Sequence, residues 1–567
     1  MKALIIVLLL VLAFVVISLR EQSKQNEKKR IALRNQFGKE PAKMTRPRST
    51  RGKRSFLLQK RSSVYSLDDQ TWSDLGLDEV LGRMDYTLTS AGEESLYRVL
   101  REPSFDKEEL SYRQQVLRNL KGLVESEEGK NIFLDLQLAF MSIGHTGNYT
   151  FAEYMEQLNS KKEESLFLYI LLWCLYVPGI VSLFFEPLIG VFLLFFGMFV
   201  NVVVHHKKKM GLQLYLVSFG YLLRMQHVVK ALEKKDLSIF PKETACLRRG
   251  FEVMKGFDVF SNLTMSMGSP LQSSNPIDVL LSYLHMMFHF DLMKFNQMLR
   301  IAKAGQKEIG SMVEAMGRID VFLSMTCYLA SIEQFCFSEE ASVFRMEEGY
   351  HPLLKNPVKN SIFLDGKKEI LLTGSNASGK STFLRTMAIN ALLAQSFGIA
   401  LADCFSGPYV RLISSMSAKD DLKSGESYYV AEMIGLKRIL DESANGQVLC
   451  FVDEILRGTN TTERIAASTE ILQYLHKHGV MVFAATHDIE LTRLLDRDYQ
   501  NYHFAETYEK ETGRISFSYL LQSGPSTSNN AILLLENYGY DADIIAAASS
   551  MVKNFNQTGK WMNIDED

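Results

Sequence analysis

The spacing of hydrophobic residues divides the chain into regions of different character. Residues 3–19 and 166–204 are almost uninterrupted apolar runs, and the second is broken by Glu186-Pro187. Residues 65–165 and 210–345 carry apolar residues at helical spacing with few runs of β-branched residues, which predicts amphipathic helices. In the last third, short apolar runs typical of buried strands alternate with helical stretches. The pattern predicts an all-α region followed by an α/β domain at the C-terminus.

The two apolar runs predict three membrane-spanning helices, an anchor at residues 1–20 and a hairpin at 166–204. The first run is short for a span, and a secretory signal peptide is the alternative. However, only Lys2 precedes it and no small-residue cleavage pattern follows it. The second run is long enough for two helices, and a buried hairpin of a soluble protein is its alternative. Its strongly apolar and aromatic composition favours the membrane.

Basic residues indicate how these helices are oriented. Residues 20–61 carry fifteen Lys and Arg, residues 161–162 are lysines before the hairpin, and 207–209 are lysines after it. By the positive-inside rule these flanks stay in the cytoplasm. We therefore expect a multi-pass protein of the plasma membrane whose C-terminal domain is cytoplasmic. Residues 21–64 are interpreted as a basic linker without a fold of its own, solvated or lying against anionic lipid headgroups. A nucleic-acid arm is the less favoured alternative.

Composition adds few constraints. The net charge of −2 points to no particular partner. The six cysteines are scattered without a C-x-x-C pair, which favours buried free thiols over disulfides or a zinc site. His285 and His289 have metal-ligand spacing on a predicted helix, but no third ligand follows nearby. We interpret them as packed histidines and assign no metal to them.

Candidate chemistry begins at residues 374–381, which have the spacing G-x-x-x-x-G-K-[ST] between an apolar run and a helical stretch. A strand, a glycine loop and a helix form the context in which this motif binds phosphates. Lys380 is predicted to reach the β- and γ-phosphates, and the Ser381 hydroxyl to bind Mg²⁺. For the motif alone, an ordinary Gly/Ser-rich turn is the alternative. The predicted ATP-binding residues of this loop are Gly374, Ser375, Asn376, Ala377, Ser378, Gly379, Lys380, Ser381 and Thr382.

Two further apolar runs end in candidate catalytic residues. Residues 448–452 precede Asp453-Glu454, an arrangement in which the Asp helps to hold Mg²⁺ and the Glu polarises the attacking water. Residues 480–484 precede Thr486-His487-Asp488, where His487 is predicted to contact the γ-phosphate or the attacking water. Together with the phosphate loop, these segments predict an ATP hydrolase that uses Mg²⁺.

The order of these motifs resembles the ATPase domain of the MutS family of DNA mismatch-repair proteins. The resemblance covers residues 349–550 and rests on several segments in the family's order. Residues 373–382 resemble its TGPNMGGKST loop, 453–461 its DEIGRGTST segment and 485–487 its ATH switch. Further matches are Tyr350-His351-Pro352-Leu353 to its RHP segment, residues 420–427 to its DDLASGRS segment and 524–530 to its Gly-Ser segment.

The resemblance implies an ABC-type P-loop ATPase domain at residues 346–567, preceded by core and lever helices at 65–165 and 205–345. It also implies a homodimer in which Ser427 reaches the ATP of the partner subunit, with DNA as the bound partner. Tyr519 falls where the family has an aromatic residue or His that covers the adenine.

Departures from the family pattern mark a divergent branch. Ser375 stands for Pro, Ser378 for Gly, and residues 462–464 read Thr-Glu-Arg where Tyr-Asp-Gly commonly follows. The anchor and the basic linker stand where the family has a mismatch-reading domain, and Phe151-Ala152-Glu153 fits its Phe-x-Glu wedge by letters only.

The sequence therefore predicts a membrane-anchored MutS-like ATPase that binds and hydrolyses ATP and engages mismatched or damaged DNA. One alternative is an ABC-like membrane motor that does not bind DNA. The other is a scaffold that uses ATP only as a dimerisation switch, and hydrolysis by the intact protein would argue against it.

Overall fold

The structure is a computed structural model, and the chain divides into two units. Unit 1 comprises residues 1–61, 84–99 and 115–332, and unit 2 comprises residues 62–83, 100–114 and 333–567. The residues that the structure describes are 20–21, 23–41, 49–59, 64–145, 149–233, 238–257, 283–364, 369–375, 378–416, 428–456, 459–509, 514–526, 532, 535–536, 538–559 and 561.

Helices account for the regular structure in the described part of unit 1, as the spacing of apolar residues predicts. Some of these helices cross a boundary between the units, and two short ones belong largely to unit 2. In chain order they are α1 (23–36), α2 (Ser49–Leu58), α3 (Asp69–Asp74), α4 (Leu77–Met84), α5 (Ser90–Arg101), α6 (Lys107–Glu125), α7 (Glu127–Ile143), α8 (Phe151–Ser160), α9 (Leu166–Cys174), α10 (Tyr176–Ser182), α11 (Pro187–Met210), α12 (Gln213–Leu232), α13 (Pro241–Val253), α14 (Phe290–Ala304) and α15 (Gln306–Ala330).

The described residues of the basic tract at 21–64 are folded, so the expectation that the tract has no fold of its own is wrong for them. It forms α1 and α2, whose apolar residues Leu33 and Phe56 are buried. Arg51 of α2 donates a hydrogen bond to the Glu93 carboxylate at 2.8 Å. Burial of these two apolar side chains favours packing of the helices despite the charge of the tract.

A buried carboxylate holds the segment before α5 in unit 1. Asp320 of α15 is fully buried, and it accepts hydrogen bonds from the Thr89 N–H at 2.8 Å and from the Thr89 hydroxyl at 2.7 Å. The Leu88 N–H donates to the same carboxylate at 3.1 Å. A Cβ at Gly92 would overlap this carboxylate, so a glycine is needed for the close approach of α5 and α15. Burial raises the pKa of Asp320 to about 7 despite these hydrogen bonds.

Replacing Asp320 with Ala is expected to lower the free energy of unfolding by about 3 kcal/mol, because buried donors of Leu88 and Thr89 lose their acceptor. The check is the urea midpoint of the full-length protein in detergent, followed by circular dichroism. Asp320→Asn keeps one acceptor oxygen and should lose less. Glu314→Ala, on the exposed face of the same helix, is the control. Equal midpoints for Asp320→Ala and Glu314→Ala would contradict this role.

The apolar run at 166–204 forms three helices, one of which is long enough to cross a membrane. This helix, α11, has 24 residues, and 17% of its most apolar 18-residue stretch is buried. The first arm is divided into α9 and α10, because Pro178 lacks the N–H that would continue α9. Within the described residues there is one candidate span, so three spans are not supported. The predicted first span, residues 3–19, lies outside those residues.

The two arms of the apolar run pack against each other as a hairpin. A Cβ at Gly179 of α10 would lie 2.8 Å from Leu194 Cγ of α11, and one at Gly190 would lie 2.6 Å from the backbone N of Leu183. The turn falls immediately before Pro187, where the sequence predicts it. Small residues thus allow the close approach of these helices.

Buried polar residues join the end of α11 to α14. The ring of His205 lies 2.9 Å from the Asp291 carboxylate, and His289 Nε2 lies 2.7 Å from Asn201 Oδ1. His285 and His289 are both buried, which confirms that they are packed histidines. No group of three or more His, Cys, Asp or Glu that could hold a metal ion occurs among the described residues.

Unit 2 is a mixed α/β domain built on a six-stranded sheet of order β12-β11-β5-β10-β9-β8. The first strand is antiparallel to its neighbour and the other five are parallel. A smaller sheet has the order β2-β7-β3-β4. The strands are β1 (Cys336–Phe337), β2 (Glu339–Glu340), β3 (Arg345–Gly349), β4 (Asn360–Phe363), β5 (Glu369–Thr373), β6 (Ile399–Ala400), β7 (Cys404–Gly407), β8 (Arg411–Ser415), β9 (Val448–Asp453), β10 (Met481–Ala485), β11 (Tyr499–Glu509) and β12 (Arg514–Ser523).

Helices follow the central strands of this sheet, as the alternation of apolar runs and helical stretches predicts. Every residue of β5, β9 and β10 is buried, which is typical of a parallel sheet covered on both faces. The helices of this part of the chain are α16 (Lys380–Phe397), α17 (Tyr428–Glu442), α18 (Thr461–Lys477), α19 (Ile489–Leu494) and α20 (Ala542–Thr558).

Residues that precede the apolar hairpin in sequence also belong to unit 2. Asp74, the last residue of α3, accepts hydrogen bonds from the Ser414 hydroxyl at 2.7 Å and from the Met416 N–H at 3.0 Å. The Tyr65 hydroxyl donates to the Leu412 carbonyl at 2.5 Å. These bonds attach α3 and the residues before it to the edge strand β8 and to the residue that follows it. Unit 2 therefore includes chain outside the predicted 346–567 domain.

Candidate nucleotide-binding site

The predicted phosphate loop lies between β5 and α16 and has the backbone that its glycines require. Gly374 has φ of 139° and Gly379 has φ of 107°, a region that residues with a side chain rarely adopt. A Cβ at Gly374 would also lie 3.1 Å from the Phe504 carbonyl oxygen. The Ser378 hydroxyl donates to the Ser375 carbonyl at 2.8 Å and closes the turn. Asn376 and Ala377 lie outside the described residues.

Lys380 is folded back into this loop. Its side chain is buried, and its Nζ donates to the Gly374 carbonyl at 2.6 Å and to the Ser375 carbonyl at 2.8 Å. The next two predicted residues continue the first turn of α16, where Ser381 is half-buried and Thr382 is exposed. The positive charge of Lys380 therefore lies beside the backbone of the glycine loop.

The predicted carboxylates stand at the end of β9. Asp453 is the last residue of this strand and is buried. Glu454 follows with φ of 61°, and its N–H donates to the Ala485 carbonyl at 2.9 Å. Leu456 also has a positive φ, 58°. Such backbone is costly for residues other than glycine, and it is found preferentially at functional sites.

The structure brings His487 to the same place. Its Nε2 lies 2.8 Å from Glu454 Oε1 and 3.4 Å from Lys380 Nζ. His487 follows β10, Glu454 follows β9, and Lys380 follows β5. These strands are parallel neighbours, so their carboxyl ends lie at one edge of the sheet. The crevice outside the carboxyl ends of strands is the usual ligand site of open α/β sheets.

Tyr519, which the resemblance places over the adenine, lies against the phosphate loop. A Cβ at Gly379 would lie 3.2 Å from Tyr519 Cδ1. Tyr519 has φ of 55° and is 44% exposed, and its carbonyl accepts a hydrogen bond from Asn360 Nδ2 at 3.0 Å. An exposed aromatic ring beside the loop has the chemistry to stack on a base. Ser427 lies outside the described residues.

His351, from the segment that resembles the family's RHP motif, is buried. Its Nδ1 accepts a hydrogen bond from the Leu353 N–H at 3.3 Å. Burial and, to a smaller extent, the charge of Arg385 lower the pKa of His351 to about 4. This histidine is therefore neutral at physiological pH and supplies no positive charge.

Two residues near the site were missed by the sequence analysis. Arg464 of α18 donates two hydrogen bonds to the Asp488 carboxylate, at 2.8 and 2.5 Å. Asp488 directly follows His487 in the chain. A signal was present, since Arg464 is one of the departures from the family pattern, but its partner could not be named from the sequence.

Oxygen donors suited to Mg²⁺ are also present. The Ser381 hydroxyl and the Asp453 carboxylate are hard oxygen ligands, which this ion prefers. They do not form a complete cage, and Mg²⁺ commonly takes one or two protein ligands together with substrate phosphates. The donor set therefore fits the ion.

Unit 2 is thus a mixed α/β domain in which a largely parallel sheet carries a glycine loop, a buried lysine and a strand-end Asp-Glu pair. Residues 370–556 match the family MutS domain V. In this region the chain is therefore similar to the MutS family.

Bacterial proteins named DNA mismatch repair protein MutS are similar to this chain. That of Lactobacillus delbrueckii subsp. bulgaricus is 29% identical over 279 residues, which is 47% of this chain and 32% of the relative. That of Chloroflexus aurantiacus is 32% identical over 224 residues, which is 37% of this chain and 23% of the relative. That of Lactobacillus acidophilus is 31% identical over 271 residues, 45% and 30% of the two chains. The chain thus spans about a third of the length of these relatives or less.

Proposed function

We propose that this protein is a membrane-anchored ATPase of the MutS type that binds and hydrolyses ATP and engages DNA. The observation that carries the proposal is the convergence of Lys380, Glu454 and His487 beside a glycine loop, with separations of 3.4 and 2.8 Å. This set contains a cation for phosphates, a carboxylate for water and a histidine that contacts both groups.

Each residue has a task that follows from its position. Lys380 would exchange the carbonyls of Gly374 and Ser375 for phosphate oxygens, while the loop N–H groups and the N-terminus of α16 favour negative charge. Glu454 would polarise the attacking water, and His487 would hold the Glu454 carboxylate in place. Bound Mg²⁺ would supply charge that offsets the phosphates, and Ser381 and Asp453 are the residues that would hold it.

The proposal includes a homodimer and an adenine site. Ser427 would complete the ATP site of the partner subunit, as the resemblance implies. Tyr519 would stack on the adenine, and its position against Gly379 supports this role. Closing of two such domains around ATP, followed by release after hydrolysis, would move the attached helices.

The proposal also places the hairpin of α9, α10 and α11 in the membrane. The small buried share of α11 supports this, because a core helix of a soluble protein would be covered on most sides. Lysines 207–209 at the end of α11 favour a cytoplasmic position for that end, and so for the ATPase domain. We propose that the protein is located in the plasma membrane and that residues 3–19 are a further membrane segment.

DNA as the partner rests on the relatives, which are named for mismatch repair. The test is duplex binding by the full-length protein in detergent, with and without ATP, across a salt series. Matched, mismatched and branched duplexes are compared. We expect nucleotide-dependent binding that weakens steeply with salt, because it rests on phosphate contacts.

The exposed apolar helices favour the second candidate, a membrane motor without DNA. Absence of duplex binding at low salt, with ATP hydrolysis intact, would overturn the DNA proposal in favour of this motor.

A further inference from the structure

An ion pair that the proposed roles do not use lies next to the candidate hydrolytic residues. Arg464, in the first turn of α18, donates from Nε to Asp488 Oδ2 at 2.8 Å and from Nη2 to Asp488 Oδ1 at 2.5 Å. The two side chains are 23% and 12% exposed. A bidentate pair fixes direction as well as distance, because the guanidinium and carboxylate planes must align.

Each partner of this pair belongs to a segment that carries one hydrolytic residue. Asp488 follows His487, and Arg464 lies on the helix that follows Glu454. The same two segments are joined by the Glu454 N–H, which donates to the Ala485 carbonyl at 2.9 Å, and by the contact of Glu454 with His487 at 2.8 Å. The ion pair therefore adds a third connection, immediately beyond the histidine.

Because Asp488 pairs with Arg464, its carboxylate does not cap the helix that follows it. It stands at the N-cap of α19, where a carboxylate commonly accepts hydrogen bonds from the first N–H groups of the helix. Its side chain makes no such cap bond and turns to Arg464 instead. The family that the sequence resembles commonly has Gly at the position of Arg464, and Gly could not form this pair.

We propose that Arg464 and Asp488 are positioning residues, which hold His487 against Glu454 and thereby set the rate of hydrolysis. The proposal rests on the ATPase function proposed above. The His487 side chain is 37% exposed and belongs to a short connection between β10 and α19. Fixing Asp488 fixes the backbone beside His487, so its ring stays at hydrogen-bonding distance from Glu454.

The first test compares Arg464→Ala, Asp488→Ala and the double variant in the full-length protein. We expect kcat for ATP to fall roughly ten- to hundredfold in each single variant, because misplacing a reacting group by about 1 Å has such an effect. KM should change by less than about twofold, since the proposal gives neither residue a role in binding nucleotide. The double variant should fall no further than a single one, because the two residues act as a unit.

The matched control is Arg411→Ala. It removes another Arg–carboxylate pair of unit 2, with Glu442 at 2.6 Å and side-chain exposures of 30% and 25%. Its kcat should stay at the wild-type value. An equal loss in Arg411→Ala would assign the effect to general destabilisation and overturn the positioning role.

A second readout does not depend on turnover. Histidine labelled with ¹³C at Cε1 gives a His487 signal that can be assigned with His487→Gln in the nucleotide-free protein. This signal should move in Arg464→Ala and Asp488→Ala and stay in place in Arg411→Ala. An unmoved signal would overturn the positioning role alone, whereas a wild-type protein without ATP turnover would overturn the ATPase proposal.

Discussion

Glu454→Gln is expected to lower the rate of ATP hydrolysis by about 10²- to 10⁴-fold, the usual contribution of a general base, while ATP still binds. The amide keeps the size of the carboxylate and can remain near His487, but it cannot polarise water by accepting its proton. Lys380 and the glycine loop, which are predicted to bind the phosphates, are unchanged. The measurements are phosphate release at saturating ATP and the Kd of a fluorescent ATP analogue.

The control for this variant is Glu463→Gln, which changes an exposed carboxylate in the first turn of α18. Its turnover should match the wild type. Unchanged hydrolysis in Glu454→Gln would remove Glu454 from the reaction. A wild-type protein that binds ATP and dimerises but shows no turnover would favour the scaffold.

Lys380→Ala is expected to weaken ATP binding by about 10- to 100-fold, because each charge-assisted hydrogen bond contributes about 1.5–3 kcal/mol. The variant also removes the hydrogen bonds that Lys380 Nζ donates to the carbonyls of Gly374 and Ser375. The affinity for the ATP analogue and the nucleotide-dependent part of duplex binding should fall together.

Lys437→Ala is the matched control for this second change, since Lys437 is an exposed lysine on α17 of the same unit. Equal ATP affinities of Lys380→Ala and Lys437→Ala would contradict the phosphate-binding role. Loss of ATP binding with duplex binding unchanged would separate the DNA contact from the nucleotide cycle.

The candidate site was largely predictable because its determinants are local. A glycine loop needs positive φ at Gly374 and Gly379, and both glycines are visible in the sequence. Continuous apolar runs marked β5, β9 and β10, and residues at the carboxyl ends of neighbouring parallel strands meet at one edge. The approach of Glu454 and His487 follows from these two facts.

Other features could not be predicted because they depend on partners distant in sequence. The hydrogen bond from Ser414 to Asp74 forms only in the tertiary fold, and so does the ion pair of Arg464 with Asp488. The basic tract was misread because charge dominates its composition, whereas a few apolar residues such as Phe56 decide its packing. The first arm of the apolar run is divided into α9 and α10 because of Pro178. This cause is visible in the sequence, but hydropathy alone does not reveal it.

The binding of α3 to β8 restricts how the chain can thread a lipid bilayer. Asp74 and Ser414 are hydrogen-bonded within one unit, so both lie on the same side of any membrane that the chain crosses between them. The number of crossings between these residues must therefore be even. This parity excludes a single crossing by α11 alone, although α11 is the one described helix that is both long and apolar enough to cross. If α11 crosses, another segment between these two residues must carry the chain back, and the apolar helices α9 and α10 directly precede α11.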